Sequence, residues 1–200
     1  MKTYTTTVEK PLLVIEYDTN CESPRKEDLN IGYFLTAQSR FESPDGNTHP
    51  LYNIMMETQE GAENTNHHMV LIKERATEEG INILYIYPVH RYEHGNVIYR
   101  RGVASGFDVS NCGFYIVTED TLKEYLNSDT NAKEKEIEAW IDIELDIYTQ
   151  WVNGAVYRFE LYNEDGELED SCGGLYDIID IKGYLPEEWK DEDMGQYLNY

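Results

Sequence analysis

The sequence predicts an α+β fold: a mostly antiparallel sheet with one long amphipathic helix over about 133–152 and one or two shorter helices. Three observations point there. Short runs rich in β-branched and aromatic residues recur along the chain, bounded by Asp, Asn, Gly and Pro. One stretch repeats its apolar residues at steps of three and four. The turn signals Glu93-His-Gly-Asn96 and Asn163-Glu-Asp-Gly166 each separate two strand-like runs. No internal repeat and no linker-like composition interrupts the 200 residues, so a single acidic domain over 1–200 is expected.

Leu12-Leu-Val-Ile-Glu-Tyr17 reads as the first strand, ended by Asp18-Thr-Asn20 and a Ser-Pro turn. Residues 18–30 are polar and predict a loop; Ile31 to Ala37 form a second strand. The segment 42–50, with two prolines and an Asp-Gly, is the strongest loop signal in the chain. Residues 66–79 predict a helix stopped by Gly80. Ile81 to Tyr87 then make a well-buried strand, with Val97 to Arg101 returning antiparallel. Phe114 to Val117 form a further short strand, after which Thr118 caps a brief helix through Leu126. In the long helix Ile137, Trp140, Ile141, Leu145, Tyr148 and Val152 recur on one side. Glu136, Glu138, Asp142, Glu144 and Asp146 predict a solvated opposite face. Ala155 to Tyr162 and the chain from Glu167 flank the last hairpin turn. The tail, about 185–200, keeps Trp189, Tyr197 and Leu198 and is expected to dock in part.

Apolar residues are 40 % of the chain and tyrosines number 17, too much bulky apolar material for a disordered segment. The longest nearly uncharged apolar stretch, Ile81 to Val89, is about half of the ~20 residues a membrane span requires. The N-terminus lacks the continuous apolar region and small-residue cleavage site of a signal peptide. Cys21, Cys112 and Cys172 are odd in number, far apart and not in CxxC pairs, which predicts free thiols in a reducing cytoplasm.

Charge is the outlier. Against 39 Asp and Glu stand 16 Lys and Arg, a formal charge of −23. Such a field repels nucleic acid and anionic lipid, so neither direct DNA binding nor a membrane partner is expected, and a protein partner would be basic. Residues 160–200 hold 13 of the acids and only Lys182 and Lys190 in return. Regularly spaced carboxylates can imitate phosphates in a basic nucleic-acid groove, and the candidates here are Glu164, Asp165, Glu167, Glu169, Asp170, Glu187, Glu188 and Asp191. Solubility alone is the competing reading of the same charge.

The sequence offers little conventional chemistry. His90 and His94 are four apart, with Asp108 and Cys112 downstream, but the spacing lies in a strand and turn and lacks a second ligand pair; no metal and no cofactor is expected. His67 and His68 would point apart on a helix. Cys112 and Cys172 each neighbour a glycine without a nucleophile signature, and read as buried, inert thiols. Asp28, His94 and Asp108, with Arg25 as an optional fourth member, could assemble an acid–base or metal-assisted hydrolytic site. Gly102 to Gly106 lacks the lysine of a phosphate-binding loop.

Three stretches look familiar. Ser23-Pro-Arg25 through Gly32 resembles the "(N/S)PR…DNLG" opening of small acidic proteins carried by phages, plasmids and conjugative elements of Gram-positive bacteria. Leu84-Tyr-Ile-Tyr87, Tyr92-Glu-His-Gly95, Phe107-Asp108 and Gly113 to Val117 are similar to that family's "LYLYDHSG…WDSGQVGYIYV". Glu144, Tyr148, Gly154-Ala-Val-Tyr157 and Ser171-Cys-Gly-Gly174 look like its "EVETYDQYLTGEVYGY…GEEIDSCWGF". The chain departs at Phe107 and Gly173, where the family has tryptophan, and at Val109-Ser110 in place of Ser-Gly. The resemblance brings no catalytic residues with it. It implies a mobile-element protein in a bacterial cytoplasm, and with the charge it implies an anti-CRISPR or anti-restriction inhibitor whose partner is a basic host defence protein. Two other readings stand beside this one: a nuclease or hydrolase that inactivates guide RNA or a signalling nucleotide, and an acidic accessory protein of the element.

Overall fold

A computed structural model describes residues 12–27, 29–38, 41–128 and 131–199. The strands are β1 (Leu13–Tyr17), β2 (Tyr33–Thr36), β3 (Ile83–His94), β4 (Asn96–Arg101), β5 (Val109–Thr118), β6 (Tyr157–Tyr162) and β7 (Leu168–Leu175). The helices are α1 (Pro24–Glu27), α2 (Pro50–Gln59), α3 (Thr65–Glu78), α4 (Glu119–Tyr125) and α5 (Glu134–Val152), and three short 3₁₀ turns follow β7. The fold is α+β, with two antiparallel sheets ordered β1-β6-β7 and β2-β5-β3-β4. The chain divides into two compact units, one of residues 1–21 with 150–200 and one of residues 22–149.

In the first unit, β6 pairs with β1 on one side and β7 on the other. Strand alternation sends Leu13, Ile15, Phe159 and Leu161 to one face. Three strands cannot close a core alone. The missing layer comes from the 3₁₀ segments, which place Ile181, Leu185 and Met194 against those residues. Leu198 forms a parallel bridge to Ile15, and the Asn199 N–H donates to the Ile15 carbonyl at 2.7 Å, which fastens the tail along β1. The β6–β7 turn has Gly166 at φ +77°, a left-handed conformation that glycine adopts without strain, and the Glu167 N–H donates to Asn163 Oδ1 at 2.8 Å. β7 is the outer strand.

The second unit is a three-layer arrangement around the β2-β5-β3-β4 sheet. Leu35, Phe114 and Ile116 face α2 and α3, which contribute Leu51, Ile54, Met55, Ile72 and Ala76. The alternate residues Phe34, Tyr99 and Tyr115 face the other way, where Tyr148 of α5 meets Phe34 edge-on at 5.5 Å. β5 is therefore buried on both faces, which is why Phe114-Tyr-Ile-Val117 is continuously apolar and not alternating. Each Leu or Ile so buried contributes about 1.5–3 kcal/mol. α5 turns Ile137, Ile141, Leu145 and Tyr148 inward, the stripe its spacing predicts. Thr118 starts α4 with a capping box closed by Thr121, and Asn64 caps α3 by accepting from the His67 N–H at 3.0 Å. α2 is a helix the sequence analysis does not anticipate: Pro50 occupies its first turn and the His49 ring caps it, directly after the 42–50 loop.

β2 and β5 approach so closely at Gly113 that a Cβ there would overlap the Leu35 carbonyl oxygen. Gly113→Ala is expected to lower the unfolding free energy in urea by about 2–3 kcal/mol. Gly183→Ala, whose Cβ would meet open space, serves as the control and changes it by less than about 0.5 kcal/mol. Equal, small effects at both positions would contradict the tight β2–β5 approach.

Candidate functional site

The acidic residues singled out in the C-terminal part fall on two surface elements of the first unit. Glu164 and Asp165 form the tip of the β6–β7 turn, Glu167 precedes β7, and Glu169 and Asp170 lie on it; all five are exposed. Glu187 and Glu188 stand on the second 3₁₀ turn and Asp191 just beyond it, exposed as well. Glu187 pairs with Lys190 at 2.5 Å, but among the described residues no cation pairs with any of the five hairpin carboxylates. Local hydrogen bonds hold two of them: Asp170 accepts from the Ser171 backbone N–H at 2.8 Å, and Glu167 Oε2 accepts from the Asn163 side-chain Nδ2 at 3.3 Å. An extended strand advances about 3.4 Å per residue, and one DNA strand carries a phosphate every ~3.4 Å of helix axis. Successive strand residues point to opposite faces, however, so Glu169 and Asp170, the two charged residues of β7, lie on opposite sides of the sheet.

The hydrolytic candidates meet only in part. His94, at the end of β3, has its Nδ1 2.9 Å from Asp108 Oδ2 in the loop before β5. Asp28 lies outside the described residues. Arg25 is corrected by the structure: its side chain is 2 % exposed and engaged on every N–H, so it cannot serve a substrate. His90 sits two strand repeats from His94, and its Nδ1 donates to the Gly102 carbonyl at 2.9 Å. Among the described residues no group of three or more His, Cys, Asp or Glu side chains is placed to hold a metal ion. His67 and His68 do diverge: His68 is buried with Nε2 3.0 Å from the Met55 carbonyl, and burial lowers its pKa, whereas His67 Nδ1 accepts from the Glu63 N–H.

None of the three cysteines is in a disulfide. Cys112 is buried, donates to the Val89 carbonyl at 3.4 Å, and is pushed up to about 12 by its burial, so it is no nucleophile. Cys172, on β7, is half-buried and packs beside the first unit's core.

What sequence reasoning missed is an ionic knot inside the second unit. Arg25 Nε and Nη2 donate to Asp45 at 3.1 and 2.7 Å, Nη1 to Glu144 at 2.6 Å and Asn30 at 2.7 Å, and Nη2 to the Gly32 carbonyl at 2.6 Å. The carboxylates are used again: Glu144 accepts from the Ile31 N–H at 2.8 Å and from the Tyr115 hydroxyl, and Asp45 accepts from the Phe34 N–H. Glu144 is thereby removed from the solvated helix face predicted for it; its side chain is 13 % exposed. Burial raises the pKa of Tyr115 well above 10, more than nearby Arg25 lowers it, and the hydroxyl stays a donor. The knot is a structural centre, closed to ligands.

Comparison with protein-family models, with curated proteins and with solved structures finds no match to this chain.

The buried thiol predicts an alkaline weakness. Unfolded, Cys112 ionises near 9.0; folded, near 12, so the folded chain holds the extra proton above pH 9 and stability falls as pH rises. Between pH 9 and 10 the parent protein is expected to lose about 1 kcal/mol more than Cys112→Ala in urea titrations. Equal losses in the two proteins would mean that the thiol ionises freely in the fold.

Proposed function

We propose that this protein is a non-enzymatic inhibitor of a nucleic-acid-targeting complex, seating its acidic hairpin and the 187–191 turn in a groove lined by Lys and Arg. The observation that carries the reading is the hairpin itself, five exposed carboxylates on a turn and outer strand with no paired cation among the described residues. Held by a sheet, these charges are ordered before binding, which spares the partner's groove the entropy of arranging them. The −23 charge steers a basic partner over long range and keeps nucleic acid itself away. The resemblance to proteins of phages, plasmids and conjugative elements supports a host defence protein, a Cas effector or restriction enzyme, as the target, met in the bacterial cytoplasm.

A second reading takes the His94–Asp108 pair as the start of a hydrolytic site. The carboxylate fixes the ring through Nδ1 and leaves Nε2 as a general base. Turnover would then replace stoichiometric inhibition.

The test is a titration of the whole protein into a guide-loaded Cas nuclease and a restriction endonuclease, each cutting plasmid DNA. Inhibition is expected at about one molecule per effector, with affinity falling more than tenfold between about 50 and 200 mM salt. Neutralising the hairpin with Glu164→Gln, Asp165→Asn, Glu167→Gln, Glu169→Gln and Asp170→Asn should weaken inhibition by at least about tenfold. Salt-insensitive inhibition, or inhibition unchanged by the five substitutions, would overturn the proposal. Inhibition at about a hundredth of the effector concentration that is lost in Asp108→Ala would assign the hydrolytic reading instead.

A further inference from the structure

The second unit carries a cavity of about 330 Å³ on the face of β3, β4 and β5 opposite α5, lined by His90, Tyr92, Ile98, Arg100 and Val109. Strand register brings these side chains together: His90 stands across from Arg100, and Tyr92 across from both Ile98 and Val109. Their neighbours Val89 and Arg91 point to the other face and are buried. No residue of α2 or α3 lines this stretch, so the strands themselves form its floor.

Its chemistry is unlike that of the rest of the chain. None of the five lining residues is acidic, in a protein with 39 carboxylates. Arg25, Arg75, Arg91, Arg101 and Arg158 are all ion-paired, and among the described residues Arg100 is the arginine that is not. Arg100 lines this cavity and also borders one that holds Asp142 and Asp146. Among the described residues neither carboxylate pairs with it, so its guanidinium keeps donors in a fork matched in shape to a carboxylate. Beside it, the His90 Nδ1–H is committed to the Gly102 carbonyl, which fixes the ring against the strand. At the other end Tyr92, Ile98 and Val109 offer an apolar surface, with Tyr92 37 % exposed. A concave apolar floor with a few convergent polar groups is the composition of a small-molecule site, and the volume is at the lower end of the range for one.

We infer that this cavity binds a small organic acid, its carboxylate on Arg100 and its apolar body across Tyr92, Ile98 and Val109. Both parts of the ligand are required. A bare anion leaves the apolar floor wet, and a neutral apolar molecule leaves the guanidinium without its counter-charge. The inference is independent of the acidic hairpin, which belongs to the first unit.

The experiment is an NMR and calorimetric titration of the full chain with 3-phenylpropionate, with 3-phenylpropanol and inorganic phosphate in parallel. 3-Phenylpropionate is expected to bind with a dissociation constant of about 1 mM or tighter, shifting the Arg100 Nε–H and His90 ring signals. The alcohol and phosphate are each expected to bind at least about tenfold more weakly. Arg100→Gln should weaken 3-phenylpropionate by a similar factor without changing thermal stability, because among the described residues the side chain has no ion pair to lose. No saturation by 3-phenylpropionate up to about 20 mM, or equal binding to Arg100→Gln, would overturn the site. Equal binding of the alcohol would reduce it to an apolar face, and equal binding of phosphate to an anion site without a body; either overturns the ligand class.

Discussion

The second unit is organised around one buried guanidinium. Arg25 joins the α1 segment to the 42–50 loop through Asp45 and to α5 through Glu144, while Tyr115 ties β5 into the same group. Two of these links reach 20 and 119 residues along the chain, so the knot fixes tertiary positions that no local propensity sets. Every guanidinium N–H has an acceptor, and the carboxylate oxygens accept from backbone N–H groups of Ile31 and Phe34 as well. That completeness lets charges sit inside a core: a half-satisfied network in the same place would be worse than an apolar one.

The remaining charge is sorted as carefully. Arg101 forks onto Asp142 and reaches Glu138, joining β4 to α5 with its guanidinium 5.1 Å from the Tyr87 ring centre. Arg158 meets Glu16 across the β1–β6 pair. Pairs of this exposed kind contribute about 0–1 kcal/mol each, too little to account for 39 carboxylates. An excess of one sign works against compactness through self-repulsion, so its concentration on the β6–β7 turn and the tail does nothing for the fold, and the proposed function assigns it to association. Arg100 stands outside this sorting. The cavity it shares with His90 and Tyr92 has no acidic lining residue, whereas Asp142 and Asp146 line the other cavity it borders without pairing with it among the described residues.

Much of the fold was legible because its signals are local. The three-and-four spacing from Ile137 to Tyr148, the Thr118 cap and the Asn163–Gly166 turn each specify their element within a few residues. Exposure of Glu164 and Asp165 was legible for the same reason, since hairpin tips face water. α2 was missed although its signal was present: Leu51, Ile54 and Met55 are three and four apart behind a proline suited to a first turn, but the Asp-Gly and the two prolines nearby read as loop. The Arg25 knot was not legible. Asp45 looks like an ordinary turn residue, and Glu144 belongs by periodicity to the polar side of α5. Only the packing of that helix beside Ile31 and Tyr115 turns its carboxylate inward. The His94–Asp108 pair likewise depends on the chain returning through β4 and the loop after it, 14 residues on.

The dependence of the second unit on Arg25 is open to a direct measurement: urea unfolding of Arg25→Met beside a variant that also carries Asp45→Asn and Glu144→Gln. Arg25→Met alone should lose about 3–5 kcal/mol, because it strands two carboxylates in the interior. Neutralising both should restore at least about 1 kcal/mol of that loss, since the amides keep the shape and shed the buried charge. An Arg25→Met protein within about 0.5 kcal/mol of the parent, or a triple variant less stable than the single one, would contradict the account.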